Sequence, residues 1–521
     1  MNTPTNIPAS TLPPDMDSLA HLVRAAAGRF GSKPCLIGPE RSVTFAGFAG
    51  EVASLARHLT ASGIARGDRV ALLDVDSIDF FEILYAIAAI GAIAVPLNYR
   101  QRVPELRYQI QNSGARLLLV GSRYEAEARE LAPELALGWQ KLEDFCRQGR
   151  ADHPCSPADL LGVDGHSPFV ICYTSGTTGR PKGAVLDQRA CCIRAYKFII
   201  EFGIRSDDIV HVTTPLFHIS ALVITMTCLV RGAGVLILPQ FKLDTTMAAV
   251  RTHRVTFLSL VPTMLAMMAA APDFGAAYFG DVRLIVYAGA PMNPRLLRDV
   301  MSVYKGDMVQ SFGQTEDLPQ SILSIEDHRQ AFRDGAKHLD SIGRPPIGVE
   351  LRICDAEGRE APDGEIGEIA SRGGTGMVGY WQMPEETART LKDGWLFSGD
   401  LGYRDKDGYI YLAGRKKQMI IRGGENVYPA EIERVLLDFP GLKDAVVIGL
   451  PDPVWGEIIA AVVVMQEGAV DPAVLIAHCK RHLASYRCPD RVFQRETLPY
   501  NAGGKVDRGL LRREYEAAAP G

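Results

Sequence analysis

Between residues 18 and 270, short apolar runs such as "RVALLDV" and "GVLILPQ" alternate with segments such as "FAGEVASLARHLTASG", whose apolar residues recur at helical spacing. A run with almost no polar face reads as a strand covered on both sides, and helices with one apolar stripe supply the cover. The alternation therefore predicts parallel sheets clad in helices, an α/β architecture. From Gly343 the texture changes. "GVELRICDAEGREAPDGEIGEIASRG" alternates apolar and polar residues, with turn signals at 355–358 and 363–364, which predicts antiparallel hairpins. After "YIYLAGRKKQMIIRGGENVYP" the tail reads as a helix (429–437), two strands ("DAVVIGL", "IIAAVVVM"), a helix ("PAVLIAHCKRHLAS") and a final strand, loop and helix. The expected layout is a large N-terminal domain over residues 1–416, β-rich at about 343–413, and a small mobile α+β C-terminal domain over 417–521. The stretch 415–418 is the expected linker.

At 521 residues the chain is longer than one hydrophobic core organises, which agrees with two domains. A net charge of −5 leaves no basic excess to neutralise phosphates, so nucleic acid is not an expected partner. The longest apolar run, residues 83–97, is interrupted by Gly91 and Pro96. A membrane span needs about 20 residues, so this run reads as a buried helix entering a strand. The ten cysteines are scattered without metal-binding spacing, with Cys191 and Cys192 the closest pair. That usage fits a reducing compartment. The N-terminal stretch has neither a charged nor an apolar leader segment and the chain ends "AAAPG", so the cytoplasm is the expected location.

"YTSGTTGRPKGA", residues 173–184, follows the strand-like "PFVIC" and is dense in glycine and hydroxyl residues, with Lys182 at its end. Its glycine-to-lysine spacing does not match a Walker A loop. Backbone N–H groups freed at Gly176 and Gly179, hydroxyls of Thr174, Ser175, Thr177 and Thr178, and the mobile charge of Lys182 suit a polyphosphate. "GTGMVG" (Gly374, Gly376, Gly379) satisfies a dinucleotide-binding pattern, but "YWQMPEE" follows where that pattern needs a helix to begin. An oxidoreductase is therefore not expected.

Four further stretches stand in order: "QSFGQTED" (310–317), "GWLFSGD" (394–400), "GRKKQMIIRGGENVYP" and "LPYNAGGKVDR". Together with the Gly/Thr loop, from about Val43 to Asp507, they resemble the adenylate-forming superfamily, and within it the AMP-forming acyl-CoA synthetases. The superfamily also holds peptide-synthetase adenylation domains and firefly-type luciferases. The resemblance implies that residues 174–179 and Lys182 hold the β- and γ-phosphates of ATP. It implies that Gln310, Ser311, Phe312 and Thr315 bind the nucleotide, with Phe312 stacking on adenine and Thr315 contacting phosphate, and that Glu316 holds Mg²⁺. Asp400 would accept the ribose hydroxyls with Arg415 reaching the same sugar, and Gly289 and Ala290 would pass beside nucleotide and acyl group. Lys505 would bridge the substrate carboxylate and the α-phosphate.

The implied reaction is carboxylate plus ATP to acyl-adenylate and pyrophosphate, followed by attack of the coenzyme A thiol with loss of AMP. The second step would follow rotation of the tail about Lys417, which withdraws Lys505 and brings Gly423 and Gly424 over a pantetheine tunnel. His218, in "PLFH", matches a residue lining the acyl pocket near the thiol's path. Three departures from the family pattern stand out: Gln418 after the hinge lysine, Ser311 before the stacking aromatic where it narrows the pocket wall, and the polar Gln314, Asp317 and Gln320. A rival is a stand-alone adenylating enzyme that loads a carrier protein's phosphopantetheine arm. A silent scaffold on the same fold would be expected to lack Lys505, Glu316 or Asp400. The expected partner is a small-molecule carboxylic acid, with no integral membrane span and a homodimer left open.

Overall fold

The computed structural model describes residues 17–174, 181–275, 277–290, 292–334, 338–501 and 505–517. Among them, four sheets form. In the eight-stranded sheet the strands Pro34–Ile37, Gly234–Leu236, Ile209–Val212, Phe257–Leu260, Leu284–Ala288 and Asp307–Gln314 run parallel. Antiparallel strands Ser42–Thr44 and Asp317–Leu323 close its two edges. The seven-stranded sheet has a parallel body too, with Lys182–Asp187 antiparallel to Pro168–Thr174 near one edge.

Helices fill the space between these sheets, and one core contains residues of both. The run read from sequence as a buried helix entering a strand is helix Ile78–Ala89 followed by strand Ile93–Pro96. All helical positions but Asp79 are buried, and Ser77 caps the first turn by accepting from Phe80 N–H. Each of its Phe and Leu side chains contributes about 1.5–3 kcal/mol on burial, and the cap about 1 kcal/mol. That explains a helix with scarcely any polar face.

After residue 349 the expected hairpins appear as a five-stranded antiparallel sheet within residues 350–415. The C-terminal unit is a second five-stranded sheet, with helices Pro429–Leu437 and Pro472–His482 on one face and Arg508–Ala517 on the other. The molecule is thus a mixed α/β structure with a large N-terminal domain and a smaller C-terminal one. No helix among the described residues is long and apolar enough to cross a membrane. The ten cysteines are free thiols, nine of them buried.

Candidate active site

Parallel sheets present their functional crevice at the carboxyl ends of the strands. Thr174 is the last residue of strand Pro168–Thr174 and pairs with Lys182, the first of the returning strand. The intervening Ser175, Gly176, Thr177, Thr178 and Gly179 lie outside the described residues. Lys182 Nζ makes a 2.6 Å ion pair with Glu386 and sits 4.7 Å from the centre of the Tyr380 ring. Tyr380 in turn donates its phenolic hydrogen to Glu316 Oε1 at 2.7 Å. The stretch after the misleading glycine pattern therefore braces Lys182 and Glu316 together, a role its sequence did not announce.

On strand Asp307–Gln314, side chains alternate between two faces. Phe312 packs on the core of the antiparallel sheet, beside Leu351 and Ile410. Ser311 turns to the opposite face, between Ala288 and Ile322 on the neighbouring strands. Gln310 and Glu316 are buried. The carbonyls of Thr315 and Glu316 each accept from the guanidinium of Arg194 at 3.3 Å, while Arg194 Nε donates to Thr375 O at 2.8 Å. Arg194 is fully buried. A buried cation bonded to carbonyls fixes the backbone of the turn that carries Glu316, and no motif in the sequence marks it.

Asp400 and Arg415 face each other across a hairpin. Arg415 Nε lies 2.6 Å from Asp400 Oδ1, and Arg415 Nη2 donates to Oδ2 at 3.3 Å. Burial raises the Asp400 carboxyl above the ordinary range, opposed by the charges of Arg415 and Lys505. Asp400→Ala is expected to weaken ATP binding about 10- to 100-fold, the loss of charge-assisted bonds to a ribose. Arg415 is about a third exposed and stays solvated, so the fold should survive. Nucleotide titration followed by fluorescence or calorimetry checks this, and an unchanged affinity would remove Asp400 from the ribose site.

Lys505 comes from the C-terminal unit. Its main chain is tied to Asn501 in both directions, N–H to Oδ1 at 3.1 Å and O from Asn501 N–H at 2.8 Å. The residue keeps an exposed surface, yet it stands in a cleft crowded by protein. Desolvation there lowers its pKa, the charge of Arg415 lowers it further, and Asp400 and Glu316 oppose the shift. Lysine, arginine and two carboxylates from both domains thus stand near enough for their charges to act on one another.

His218 begins helix Ile219–Arg231, its ring 4.4 Å from that of Phe217. Burial, helped by Arg100 and Lys505, pushes its pKa down to about 4, so the imidazole is neutral at physiological pH. The loop before it is held by Asp76, whose Oδ1 accepts from Leu216 N–H at 2.9 Å. Burial raises Asp76 to about 8, with Asp74 adding and Arg100 and the Leu216 bond opposing. An unfolded aspartate titrates near 3.9. Between these values the folded state binds the extra proton, so stability is retained at low pH and falls as pH rises toward 8. Thermal denaturation should show lower stability at pH 9 than at pH 6, with the difference reduced in Asp76→Asn.

Gly289 and Ala290 follow strand Leu284–Ala288 and are exposed, Gly289 with φ +89°. Lys417 lies in the short 3₁₀ turn Lys416–Gln418 and its charge reaches Glu386, the partner of Lys182. Gly423 and Gly424 both have positive φ. A Cβ on Gly423 would come within 2.8 Å of Trp455, whereas one on Gly424 would meet nothing within 4 Å.

Comparison with known proteins finds matches over most of the chain. A profile described as AMP-binding enzyme matches residues 23–381, and one described as AMP-binding enzyme C-terminal domain matches residues 431–505. A feruloyl-CoA synthase of Amycolatopsis sp is 37% identical over 91% of this chain and 94% of its own. Long-chain-fatty-acid–CoA ligase FadD13 of Mycobacterium tuberculosis is 33% identical over 89% of this chain and 91% of its own. The crystal structure of ATP-bound MatB from Rhodopseudomonas palustris superposes with a TM-score of 0.87 at 27% identity, covering 96% of this chain and 99% of that one.

Proposed function

The chain belongs to the AMP-binding enzyme family, and from that membership we propose how its residues divide the work. The enzyme is an AMP-forming acid–CoA ligase: it joins a carboxylic acid to ATP as an acyl-adenylate, releasing pyrophosphate, and then passes the acyl group to coenzyme A, releasing AMP. The observation that carries the assignment of roles is the convergence of Lys505 with Glu316, Asp400 and Arg415.

In the first step Asp400 and Arg415 hold the ribose, Phe312 supports the adenine, and residues 174–179 with Lys182 hold the outer phosphates. Lys182 must leave Glu386 to reach them, a move a flexible lysine stem permits. Lys505 lies between carboxylate and α-phosphate, where negative charge gathers in the transition state. A cation fixed there favours the transition state over either ground state. Bound phosphates also oppose the desolvation that lowers its pKa.

Mg²⁺ fits the site: Glu316 offers a hard carboxylate in a cleft otherwise supplied by phosphate oxygens, and Tyr380 orients it through Oε1. When bound, the ion supplies neutralisation of phosphate charge. In the second step the tail turns about Lys417, Gly423 and Gly424 border the pantetheine path, and neutral His218 lines the acyl side. The unpaired thiols suit the cytoplasm.

The relatives' names span a feruloyl group and a long-chain fatty acyl group. Pyrophosphate release across a carboxylic-acid panel, with thioester and AMP measured beside it, tests the reading. Acid-dependent pyrophosphate with thioester formed on free coenzyme A is the expected result. Thioester formed only on a holo-carrier protein would favour the carrier-loading alternative, and no acid-dependent pyrophosphate would overturn both.

A further inference from the structure

Two oxygen atoms on one face of the strand pair Asp307–Gln314 and Asp317–Leu323 are buried without a hydrogen-bond partner: Ser311 Oγ and Gln320 Oε1. Ser311 is 4% exposed and Gln320 not at all. Ser311 pairs with Ile322 across the ladder, and Gln320 stands two positions from Ile322 on the same strand. Side chains alternate along 320–322, so Gln320 lies on the face of Ile322 and hence of Ser311. Ile322, on the same face as Gln320, is part of the core, and helix Gln188–Phe202 packs against this strand. Ser311's other neighbour is the small Ala288, whose strand runs into exposed Gly289 and Ala290.

The orientation of the Gln320 amide is fixed by its neighbours. Asp317 accepts hydrogen bonds from Ser371 Oγ and Thr375 Oγ1, both at 2.6 Å. A serine hydroxyl has one proton, and that of Ser371 goes to the carboxylate. The atom that Gln320 presents to Ser371 Oγ at 2.9 Å must then be its N–H donor, since a flipped amide would set one acceptor against another. The unpartnered atom is thus an acceptor, and a buried acceptor calls for a donor. Ser311 Oγ can give or take a hydrogen bond.

Phe312, assigned above to the adenine, lies on the opposite face from Ser311. Ser311 adjoins Ala288, whose strand leads into the exposed Gly289 and Ala290, the pair assigned by the family resemblance to the edge of the acyl group, so an acid whose carboxylate reaches Lys505 has the Ser311 face for its remaining atoms. We infer that this enzyme's acid bears a hydroxyl or amino donor on its acyl portion, accepted by Gln320 Oε1 with Ser311 Oγ as a second contact. A plain alkyl chain would leave both atoms unpaired. The inference rests on the acid–CoA ligase reading.

The test uses matched acids that differ only in the donor: meta- and para-hydroxybenzoate and para-aminobenzoate against benzoate, para-hydroxycinnamate against cinnamate, and ω-hydroxyoctanoate against octanoate. Wild-type enzyme should favour at least one donor-bearing acid over its parent by about tenfold or more in kcat/KM, because a site built to bond a donor rejects the analogue lacking it. In Gln320→Leu, which keeps the volume and removes the acceptor, that ratio should fall toward one. Ser311→Ala provides the same comparison if the first variant does not fold. Equal kcat/KM within every pair, or a ratio unchanged in the variants, overturns the inference and leaves the two atoms to buried water. Thermal shift with each acid separates the two readings. No stabilisation and no thioester with any acid overturns the ligase reading and the inference with it, whereas thioester formed without donor preference overturns the inference alone.

Discussion

Lys505→Ala should lower acyl-adenylate formation by about 100- to 1,000-fold, the range found when one preorganised charge-stabilising donor is removed. The same variant, supplied with a ready-made acyl-adenylate and coenzyme A, should still form thioester at close to the wild-type rate. The asymmetry follows from where the lysine stands. In this structure its ammonium feels the charges of Asp400, Arg415 and Glu316, the arrangement that the proposed first half-reaction would use. On the proposed alternation, thiol attack on an acyl-adenylate develops charge elsewhere, after the tail has turned. Pyrophosphate release reports the first half and thioester absorbance the second. Equal loss of both halves in a folded variant would sink domain alternation and leave a single static site.

Gly424→Trp should give the reverse pattern, with pyrophosphate release retained and thioester formation reduced by about 100-fold or more, the scale of a reactant displaced from its attack geometry. Nothing lies within 4 Å of a Cβ at this position, so a side chain added here starts into open space. Once the tail turns, the same indole would fill the path of the pantetheine arm. The residue's φ of +87° disfavours any side chain and costs of order 1–3 kcal/mol of local strain. Gly424→Ala is therefore the control: it carries the backbone strain without the bulk. A thioester defect as large in Gly424→Ala as in Gly424→Trp would assign the effect to the backbone and leave the tunnel unsupported.

Periodicity alone determined the element types. Helix Ile78–Ala89, helix Pro429–Leu437 and the hairpins after residue 349 could be read from the chain because hydrophobic patterning records which faces are dry. The ordered motifs likewise carried the family and the chemistry of its substrates. They did not carry the braces. Glu386 pairs with Lys182 across 204 residues, Arg194 holds Thr375 across 181, and Tyr380 reaches Glu316 across 64. None has a local signal, since an arginine among helix residues or a tyrosine after a glycine run reads the same wherever its partner lies. The direction of the Gln320 amide was equally hidden, because it depends on a proton that Ser371 donates from another sheet. Sequence determined which segments fold as strand or helix and which chemistry they carry, because those follow from neighbours along the chain. Tertiary structure alone decided which charges and polar atoms are paired and which are left for a ligand, because hydrogen bonds and ion pairs form between atoms a few ångströms apart in space, whatever their distance along the chain.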